Sequence, residues 1–357
     1  MIKPIKIAIL SCNHGHAKGY YALKDDPHYD LVAVSVVPEY RDKVFIERLS
    51  GIPVYENNGE LYENHPDLEA VIIGSDNRSH IKEVREATSR GLHIFSMKVP
   101  TFDMDEYEEM IRLTEEAGVV CQVELEMRER AEILKVKDII SSGKLGKLLS
   151  VNMINYSHNP VWWRPWQCSP EDSYGKRVPL RAGDDRFRGG ALADHPHVFD
   201  VIREITGEEF ATVYAEPAPN LREVETEDML RIIGRLSGGT MFSIDPSYAN
   251  NEHHVEKMVD WIKYPRPVEV TLNIVGTEGV LLANVYERCI YVQSGSRGEY
   301  IAEEVEMVGA WNKRMLDFYF SIREGKPPTV SLRHHKKTIL AMLAAYESID
   351  KGSPVSL

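Results

Sequence analysis

The sequence has few cysteines, no long apolar run and no surplus of basic side chains, and each absence excludes a class of protein. Its four cysteines lie far apart without a C-x-x-C pair, which favours reduced thiols, as in the cytoplasm, over a disulfide framework. No apolar run reaches the ~18 residues of a membrane span, and no signal-peptide pattern opens the chain. With a formal net charge of −13 and no basic stripe, the chain is unsuited to binding nucleic acid. We expect a cytoplasmic protein with no membrane or nucleic-acid partner.

The apolar pattern divides the 357 residues into two parts near residue 124. In the first part, continuous apolar runs alternate with amphipathic stretches, which predicts a Rossmann-type, doubly wound parallel sheet. In the second part, several strands follow one another without helices between them, which predicts an α+β domain whose open sheet is largely antiparallel. We therefore predict an α/β protein with a dinucleotide-binding, Rossmann-type domain at 1–124 and an α+β domain at 125–357, whose last helix can pack back on the first domain. The predicted strands of the first part are 5–10, 31–37, 70–73, 93–95 and 118–121, and helices at 81–90 and 104–117 lie among the segments between them.

Glycine is scarce where a dinucleotide-binding fingerprint needs it, in the turn after the first predicted strand. Three spaced glycines would let the backbone approach a pyrophosphate, but Ser11 and Asn13 stand at the first two positions, and His16 or Ala17 stands near the third. The second strand also lacks the usual terminal acid for a ribose hydroxyl, since 36–38 read Val-Val-Pro and Glu39 is the nearest carboxylate. Two interpretations stay open: an altered site for NAD or NADP, and a sheet that binds no dinucleotide.

Acid and imidazole side chains crowd the start of a helix in the second part, shortly after a pair of glycines. Asp194 is predicted to be the N-cap, Pro196 fits the first turn, and the helix ends at Gly207 after an i, i+3, i+4, i+7 apolar stripe. His195 and His197 fall in the same first turn, where a rigid element could hold them for proton transfer. On a regular helix the two rings lie ~200° apart, so we predict no metal site there.

Four segments and two motifs carry a resemblance to a known family. The segments are 72–80, 87–98, 141–147 and 344–355. At 97–100 the chain reads Met-Lys-Val-Pro, which is similar to a Glu-Lys-Pro motif whose lysine is retained as Lys98. Asp194, His197 and Asp200 match an Asp…His…Asp pattern, with the first spacing one residue shorter here. In the order and spacing of these features, nearly the whole chain resembles the Gfo/Idh/MocA family, named after glucose–fructose oxidoreductase, inositol dehydrogenase and MocA.

The resemblance implies an enzyme that transfers a hydride between the nicotinamide of NAD or NADP and a sugar, inositol or related polyol. It implies that Lys98 supplies positive charge to the reacting oxygen, that His197 is the general acid/base, and that Asp194 orients the imidazole or contacts the substrate. Helix geometry places His195 closer to the buried stripe, so His195 stays an alternative acid/base. Because the family commonly assembles through its open sheet, we expect a homodimer or homotetramer.

The resemblance also indicates which residues bind each ligand. Those expected to bind the cofactor lie in the first βα turn, in the polar turn after the third predicted strand and at the retained lysine: Ser11, Asn13, His14, Gly15, His16, Ser75, Asn77, His80 and Lys98. Those expected to contact a sugar offer aromatic faces or hydrogen bonds: Arg128, Tyr156, His158, Trp163, Trp166 and His195. Two other functions stay open. One is an enzyme that retains NAD for transient oxidation during elimination or glycoside cleavage, and the other is a non-catalytic protein that senses a sugar or nucleotide.

Overall fold

Two β-sheets organise the protein, one built from the first part of the chain and one from the second. The computed structural model describes residues 2–12, 16–36, 43–157, 190–220, 227–248, 268–302 and 308–357. Helices and strands are mixed throughout these residues, so the predicted α/β class is confirmed.

The first sheet has six strands, all parallel, in the order β3-β2-β1-β4-β5-β6. The strands are β1 Ile5–Leu10, β2 Tyr29–Ser35, β3 Val54–Tyr55, β4 Ala70–Ile73, β5 His93–Ser96 and β6 Cys121–Val123. β4 is buried along its whole length and β1 nearly so, as in a sheet covered on both faces. The order in which strands are added to the sheet reverses between β1 and β4. Such sheets bind ligands at the carboxyl ends of the strands beside this point. The Rossmann-type prediction is confirmed.

Helices connect these strands. They are a 3₁₀ helix Ala17–Asp25, α1 Lys43–Arg48, α2 Asn58–Asn64, α3 His80–Thr88 and α4 Met104–Glu116. Asn57 and Asp103 accept hydrogen bonds from backbone N–H groups in the first turns of α2 and α4, which fixes where these helices begin. After α4 the chain turns at Gly118, whose φ is 63°. The 3₁₀ helix packs so closely on the end of β4 that a Cβ at Gly74 would lie 2.6 Å from the Cβ of Ala17. This packing holds the first βα turn against the sheet.

The second sheet has nine strands in the order β14-β13-β12-β11-β7-β10-β9-β8-β15. The strands are β7 Leu148–Ser157, β8 Phe210–Pro217, β9 Leu230–Leu236, β10 Met241–Asp245, β11 Val268–Gly276, β12 Gly279–Asn284, β13 Cys289–Ser294, β14 Arg297–Ala302 and β15 Val355–Ser356. Within the described residues, β7 and β10 run parallel and the other neighbouring strands run antiparallel. The predicted, largely antiparallel sheet is confirmed.

Helices cover one face of the second sheet. The helices of the second part of the chain are a 3₁₀ helix Glu126–Glu129, α5 Ala131–Ser141, α6 Ala191–Asp194, α7 Pro196–Thr206, α8 Val308–Glu324 and α9 Leu332–Lys351. α5 contacts β12 and β13, α7 contacts β7, and α9 contacts β8. Elsewhere the sheet leaves large apolar side chains between 37% and 52% exposed on five of its strands, namely Leu149, Ile233, Met241, Leu282 and Tyr291.

The two closing helices return to the first sheet. The ring of Phe318 in α8 packs edge-on against Phe95 of β5, with their centroids 5.6 Å apart. The hydroxyl of Tyr107 in α4 lies 2.8 Å from Nδ1 of His335 in α9. A domain boundary near residue 124 stays a prediction, because α9 packs against elements of both parts. Among the described helices, none combines the length and the apolar character needed to cross a membrane.

Candidate active site

The crowded segment that begins at Gly190 folds as two consecutive helices, α6 and α7. The prediction that Asp194 caps the longer helix is wrong: His195 is the N-cap of α7, and Asp194 is the last residue of α6. The physical reason is Pro196, because a proline disfavours helical conformation in the residue before it. The chain therefore leaves the helix at His195, at φ −113° and ψ 50°, and starts again as α7. The Asp194 carboxylate is left available for contacts outside its own helix.

Lys98 of the first sheet forms an ion pair with Asp194. Lys98 follows β5, and its Nζ donates hydrogen bonds to Oδ1 and to the backbone oxygen of Asp194, each at 2.7 Å. Tyr248, which follows β10, donates its hydroxyl hydrogen to Oδ2 of the same carboxylate at 2.8 Å. Lys98 is only 5% exposed. The pair therefore joins the carboxyl edge of the first sheet to α6 in surroundings that largely exclude water.

The Asp194 carboxylate is ionised. Burial opposes its charge, but Lys98, His195 and the hydrogen bond from Tyr248 outweigh burial and hold the pKa of Asp194 well below its ordinary value of 3.8. A buried ion pair of this kind fixes geometry strongly, because removal of one partner leaves an uncompensated charge. Lys98 and Asp194 thus hold each other in place across the two parts of the molecule.

The two imidazoles differ in what their ring nitrogens contact. Nδ1 of His195 lies 2.5 Å from the backbone oxygen of Ala191, and Nε2 lies 3.1 Å from Oγ of Ser157. This pattern fits a neutral ring that donates from Nδ1 and accepts at Nε2. His197 is 6% exposed, and its Nδ1 has no hydrogen-bond partner among the residues that the structure describes. Nδ1 of His197 is therefore a buried nitrogen without a partner among the described residues, whereas both nitrogens of His195 are engaged.

Both rings are neutral near pH 7. Burial is the largest influence on each ring, and it lowers the pKa of His195. Burial and then the charge of Lys98 lower the pKa of His197 to about 4, against the opposing influence of Glu126 and Glu124. A neutral imidazole with an unpartnered nitrogen is able to accept a proton.

Arg128, which we predicted to contact a sugar, is placed by the structure in a buried ion-pair cluster. Its Nε and Nη2 donate to the two carboxylate oxygens of Asp200 at 2.7 and 2.8 Å, and Nη2 lies 3.0 Å from Glu204. Burial opposes the charge of Asp200, but the nearby His334 ring, 3.7 Å from Oδ1, and the charge of Arg128 lower its pKa to about 2. Because Asp200 and Glu204 both belong to α7, the cluster fixes α7 to the 3₁₀ helix that carries Arg128.

The first βα turn begins with a left-handed bend at a residue other than glycine. Ser11 has a φ of 45°, in the left-handed region that favours glycine, and its backbone N–H donates to Oγ of Ser35 at 2.8 Å. His16 ends the turn, with its ring beside Glu124. The bend, and the close packing at Gly74 beside the carboxyl ends of β1 and β4, fit a bound dinucleotide. The predicted cofactor residues Asn13, His14 and Gly15 lie outside the described residues.

The second predicted cofactor segment is the polar turn after β4. Ser75 donates its hydroxyl hydrogen to Oε2 of Glu83 at 2.6 Å, and Asn77 is partly exposed. His80 is fully buried, and its ring nitrogens lie 3.0 and 3.2 Å from the backbone oxygens of Pro100 and Ser75. The structure therefore places the His80 ring behind the turn, where it supports the backbone.

Tyr156 is not brought together with the Lys98–Asp194 pair. Successive side chains of a strand point to opposite faces, and the neighbouring Ser157 faces His195. Tyr156 points to the other face of the sheet, where its hydroxyl donates to Oδ2 of Asp245 at 2.7 Å. The remaining residues expected to contact a sugar, His158, Trp163 and Trp166, lie outside the described residues.

A charged cluster at the end of β6 was missed by the sequence analysis. Glu124 follows β6, Glu126 begins the next 3₁₀ helix, and each offers an oxygen within 4.8 Å of the other and of a ring nitrogen of His16. The cluster is poorly suited to a metal ion, because the guanidinium of Arg314 lies 3.9 Å from the buried Glu124 and already supplies positive charge. Only their position in the sequence could have indicated this cluster, because both glutamates come directly after a buried parallel strand.

The fold and this site are typical of a two-domain, dinucleotide-dependent enzyme. The Rossmann sheet contributes a lysine, and the second part of the chain contributes an acid and imidazoles. Comparison with family models is more specific. Residues 5–125 match the model described as "Oxidoreductase family, NAD-binding Rossmann fold", and residues 133–282 match the GFO/IDH/MocA C-terminal domain. The chain belongs to the Gfo/Idh/MocA family of NAD-binding oxidoreductases, as its resemblance predicted.

Individual relatives span nearly the whole chain at low identity. A myo-inositol 2-dehydrogenase from Thermotoga maritima is 25% identical over 337 residues, which cover 92% of this chain and 91% of the relative. A scyllo-inositol 2-dehydrogenase (NAD(+)) from Bacillus subtilis is 22% identical over 355 residues, which cover 95% and 93%. These relatives act on inositols by name, and the identity is too low to transfer the substrate directly.

Solved structures share the fold. An oxidoreductase from Agrobacterium radiobacter, in complex with NAD+, L-tartaric acid and magnesium, matches with a TM-score of 0.80 at 18% identity over 99% of this chain and 98% of that one. The WlbA dehydrogenase from Bordetella pertussis, in complex with NADH and UDP-GlcNAcA, matches with a TM-score of 0.74 at 19% identity over 99% of each chain. At these identities the likeness extends to the fold alone.

Proposed function

We propose that the protein is an NAD(P)-dependent dehydrogenase or reductase that acts on a CH–OH group of a sugar, inositol or related polyol. The observation that carries this proposal is the 2.7 Å contact of Lys98 with Asp194, which joins the cofactor-binding edge of the first sheet to the helices that carry the imidazoles. The names of the two inositol dehydrogenase relatives support the substrate class.

The cofactor residues of the proposal lie at the carboxyl edge of the first sheet. The left-handed bend at Ser11, the turn that contains Ser75 and Asn77, and Lys98 would hold NAD or NADP there. When bound, the nicotinamide supplies the hydride acceptor or donor. His80 contributes by supporting the turn through its contacts with backbone oxygens.

His197 is the proposed general acid/base. In oxidation it takes the hydroxyl proton of the substrate on an unpartnered ring nitrogen, for which its neutral form is the required state. His195 is less suited to this role, because its nitrogens are already bonded to Ala191 and Ser157. His195 instead packs beside Tyr248, with ring centroids 5.3 Å apart.

Lys98 and Asp194 are the proposed electrostatic pair. As the hydroxyl loses its proton, negative charge develops on the substrate oxygen, and a fixed ammonium stabilises that charge in surroundings of low dielectric. The Asp194 carboxylate keeps the ammonium in one orientation by accepting its hydrogen bond. Tyr248 fixes the other carboxylate oxygen.

The open face of the second sheet is the proposed interface of a homodimer or homotetramer. Leu282 and Tyr291 stand directly opposite each other on β12 and β13, and Ile233 and Met241 lie on β9 and β10. An apolar sheet face of this width invites association with another sheet.

A cofactor and substrate screen tests the proposed function. We expect NAD or NADP to raise the thermal unfolding temperature, and at least one sugar, inositol or related polyol to change nicotinamide absorbance during turnover. No thermal shift from either dinucleotide, after a check for cofactor retained from purification, would favour the sensing alternative. Conversion of a sugar without net NADH formation would favour the NAD-retaining lyase or glycosidase.

A further inference from the structure

A second imidazole lies on the same edge of the first sheet as the proposed acid/base. His16 precedes the first 3₁₀ helix, and its Nδ1 lies 3.3 Å from Oε2 of Glu124. The His16 side chain is 24% exposed, whereas that of Glu124 is completely buried. His197, at 6% exposed, is also shielded from water. A proton taken up by His197 therefore needs a route to solvent, and His16 is the more exposed imidazole.

The charges around the two rings favour a proton on His16. The charges of Glu124, Glu126 and Lys98 act on both rings, and His16 also acts on His197. At His16 burial alone would lower the pKa, but the two glutamates outweigh burial and Lys98, so the pKa is raised above 6.5. At His197 burial and Lys98 dominate, and the pKa falls to about 4. The charges therefore favour a proton on His16 over a proton on His197.

Glu124 is the carboxylate that contacts His16. Burial opposes its charge, but the charge of His16, the hydrogen bond from His16 and the charge of Arg314 hold the pKa of Glu124 well below 4.5. Among the described residues, Oε1 of Glu124 has no hydrogen-bond partner, and the nearest guanidinium nitrogen of Arg314 is 3.9 Å away. A buried carboxylate oxygen without a donor is costly, and such groups need an explanation in function or strain.

We propose that His16, Glu124 and Glu126 form the proton exit of the active site. The inference rests on the proposed function, in which His197 removes the hydroxyl proton during oxidation. The substrate O–H bond breaks as an N–H bond forms on His197, and the electron pair of the C–H bond leaves as hydride, for which NAD(P)+ is the oxidant. The proton passes from His197 to the glutamate carboxylates, directly or through water, then to His16 and to bulk water. In reduction the proton follows the same route inward.

The test compares His16→Gln, which removes a titratable ring, with the full-length wild type at saturating cofactor and substrate. We expect kcat for oxidation to fall on the order of 10- to 100-fold with little change in substrate KM, because proton transfer becomes slow. In the wild type, kcat should rise as the pH passes the raised pKa of His16, since only the neutral ring accepts a proton. This rise should vanish in His16→Gln, and added imidazole should restore activity to His16→Ala. Glu126→Gln should show the same loss in kcat.

His28→Gln is the matched control. The His28 ring also pairs with a carboxylate, at 2.9 Å from Asp26, and its side chain is 20% exposed. It lies beyond the far end of the same 3₁₀ helix, away from the carboxyl edge of the sheet. We expect its kcat and its response to imidazole to equal those of the wild type.

A measurement without turnover provides the second readout. Histidine side-chain NMR titration of the protein should give a His16 pKa above 6.5 in the wild type and a lower one in Glu124→Gln. If Glu124→Gln fails to fold, Glu126→Gln serves the same purpose, because Glu126 also raises the His16 pKa from a partly exposed position.

Three results would overturn the proton exit. They are an unchanged kcat in His16→Gln at saturating cofactor, a defect confined to cofactor affinity, and a His16 pKa at or below 6.5. The proposed function fails separately: full kcat in His197→Gln would contradict the role of His197 itself. An inactive His197→Gln enzyme beside a fully active His16→Gln enzyme would contradict the proton exit alone.

Discussion

At the scale of single residues, the site places a charged acid next to a neutral imidazole. Asp194 remains ionised because Lys98 and its hydrogen bonds outweigh burial, whereas burial and the same lysine keep His197 neutral. Environments that separate the protonation states of neighbouring groups in this way are typical of acid–base sites. One lysine charge therefore has two effects: it stabilises the carboxylate and disfavours an imidazolium.

Substitution of the two imidazoles tests their assignment. We expect His197→Gln to lower kcat by about 10²- to 10⁴-fold, the usual contribution of a general acid/base, with a small change in KM. His195→Gln should lose less, because the His195 ring bonds to Ala191 and Ser157 within its own part of the molecule. Steady-state measurement of kcat and KM for both folded variants provides the comparison. A larger loss in His195→Gln would reverse the assignment.

Lys98, Asp194 and the two histidines could be chosen as candidate site residues from the sequence, but their contacts could not be predicted. Which imidazole has an available nitrogen depends on Ser157, thirty-eight residues before His195 in the chain and adjacent only after folding. The N-cap prediction for Asp194 failed because the same sequence pattern, an acid shortly before a proline, also occurs where one helix ends and the next begins. Glu124 belongs to no sequence motif, so its place in the site could not be predicted. It becomes apparent only from the contact with His16 in the folded protein.

At the scale of elements, α7 is held in position by charged side chains along its length. Arg128 binds Asp200 and Glu204, and Arg203 binds Glu209 with its Nε 2.6 Å from a carboxylate oxygen. Asp200 lies three residues after His197, on nearly the same helix face. The ion pair with Arg128 therefore fixes the rotation of the helix that presents the imidazole.

Asp200→Asn tests this arrangement. The change leaves Arg128 buried without its principal carboxylate, so we expect the free energy of unfolding to fall by about 3–5 kcal/mol. Urea unfolding followed by circular dichroism measures the loss. Glu116→Gln is the control, because Glu116 pairs with Arg112 at 2.7 Å on an exposed helix surface, where the loss should be small. Equal losses in the two variants would contradict the account.

The pH dependence of stability provides a second check on Asp200. Its pKa is lowered in the folded state to about 2 from 3.8, so its stabilising contribution is complete above pH ~4 and is lost as the pH falls through about 2. The difference in unfolding free energy between wild type and Asp200→Asn should therefore shrink over this window. A difference that stays constant from pH 5 to pH 2 would exclude this role of the carboxylate.

The elements themselves were largely predictable from the sequence. Helix α4 spans Met104–Glu116 against a predicted 104–117, because the Asp103 cap and Gly118 mark its ends locally. The last strand of the first sheet is Cys121–Val123 rather than 118–121, because its start depends on pairing with β5. The return of α8 to the first sheet was not predicted, because the sequence of an amphipathic helix does not determine which surface its apolar face covers.

At the scale of the whole molecule, the two parts of the protein meet at the candidate active site, and the second sheet has one open face. The closing helices pack against the first sheet, which limits how freely the two parts can separate. The open face exposes large apolar side chains on several strands. We expect a second copy of this chain to cover that face.

Charged substitutions on the open face test this assembly. Ile233→Asp combined with Leu282→Asp should convert the wild-type oligomer to monomer, because each aspartate would be buried without a partner in the interface. Size-exclusion chromatography with light scattering measures the mass. Ile2→Asp is the control, because Ile2 is equally exposed, at 52%, but precedes the first sheet. A monomeric wild type at micromolar concentration, or an unchanged mass in the double variant, would contradict the proposal.

The most direct test of the account is a double-mutant cycle of Lys98→Met and His197→Gln on kcat. If the ammonium and the imidazole act on the same substrate oxygen, each single change should slow turnover by at least about 10²-fold, and the double variant should be little slower than the worse single variant. Affinity for the dinucleotide should remain nearly unchanged in all three proteins. Losses that multiply in the double variant, or unchanged turnover in Lys98→Met, would show that the two groups do not work on one oxygen.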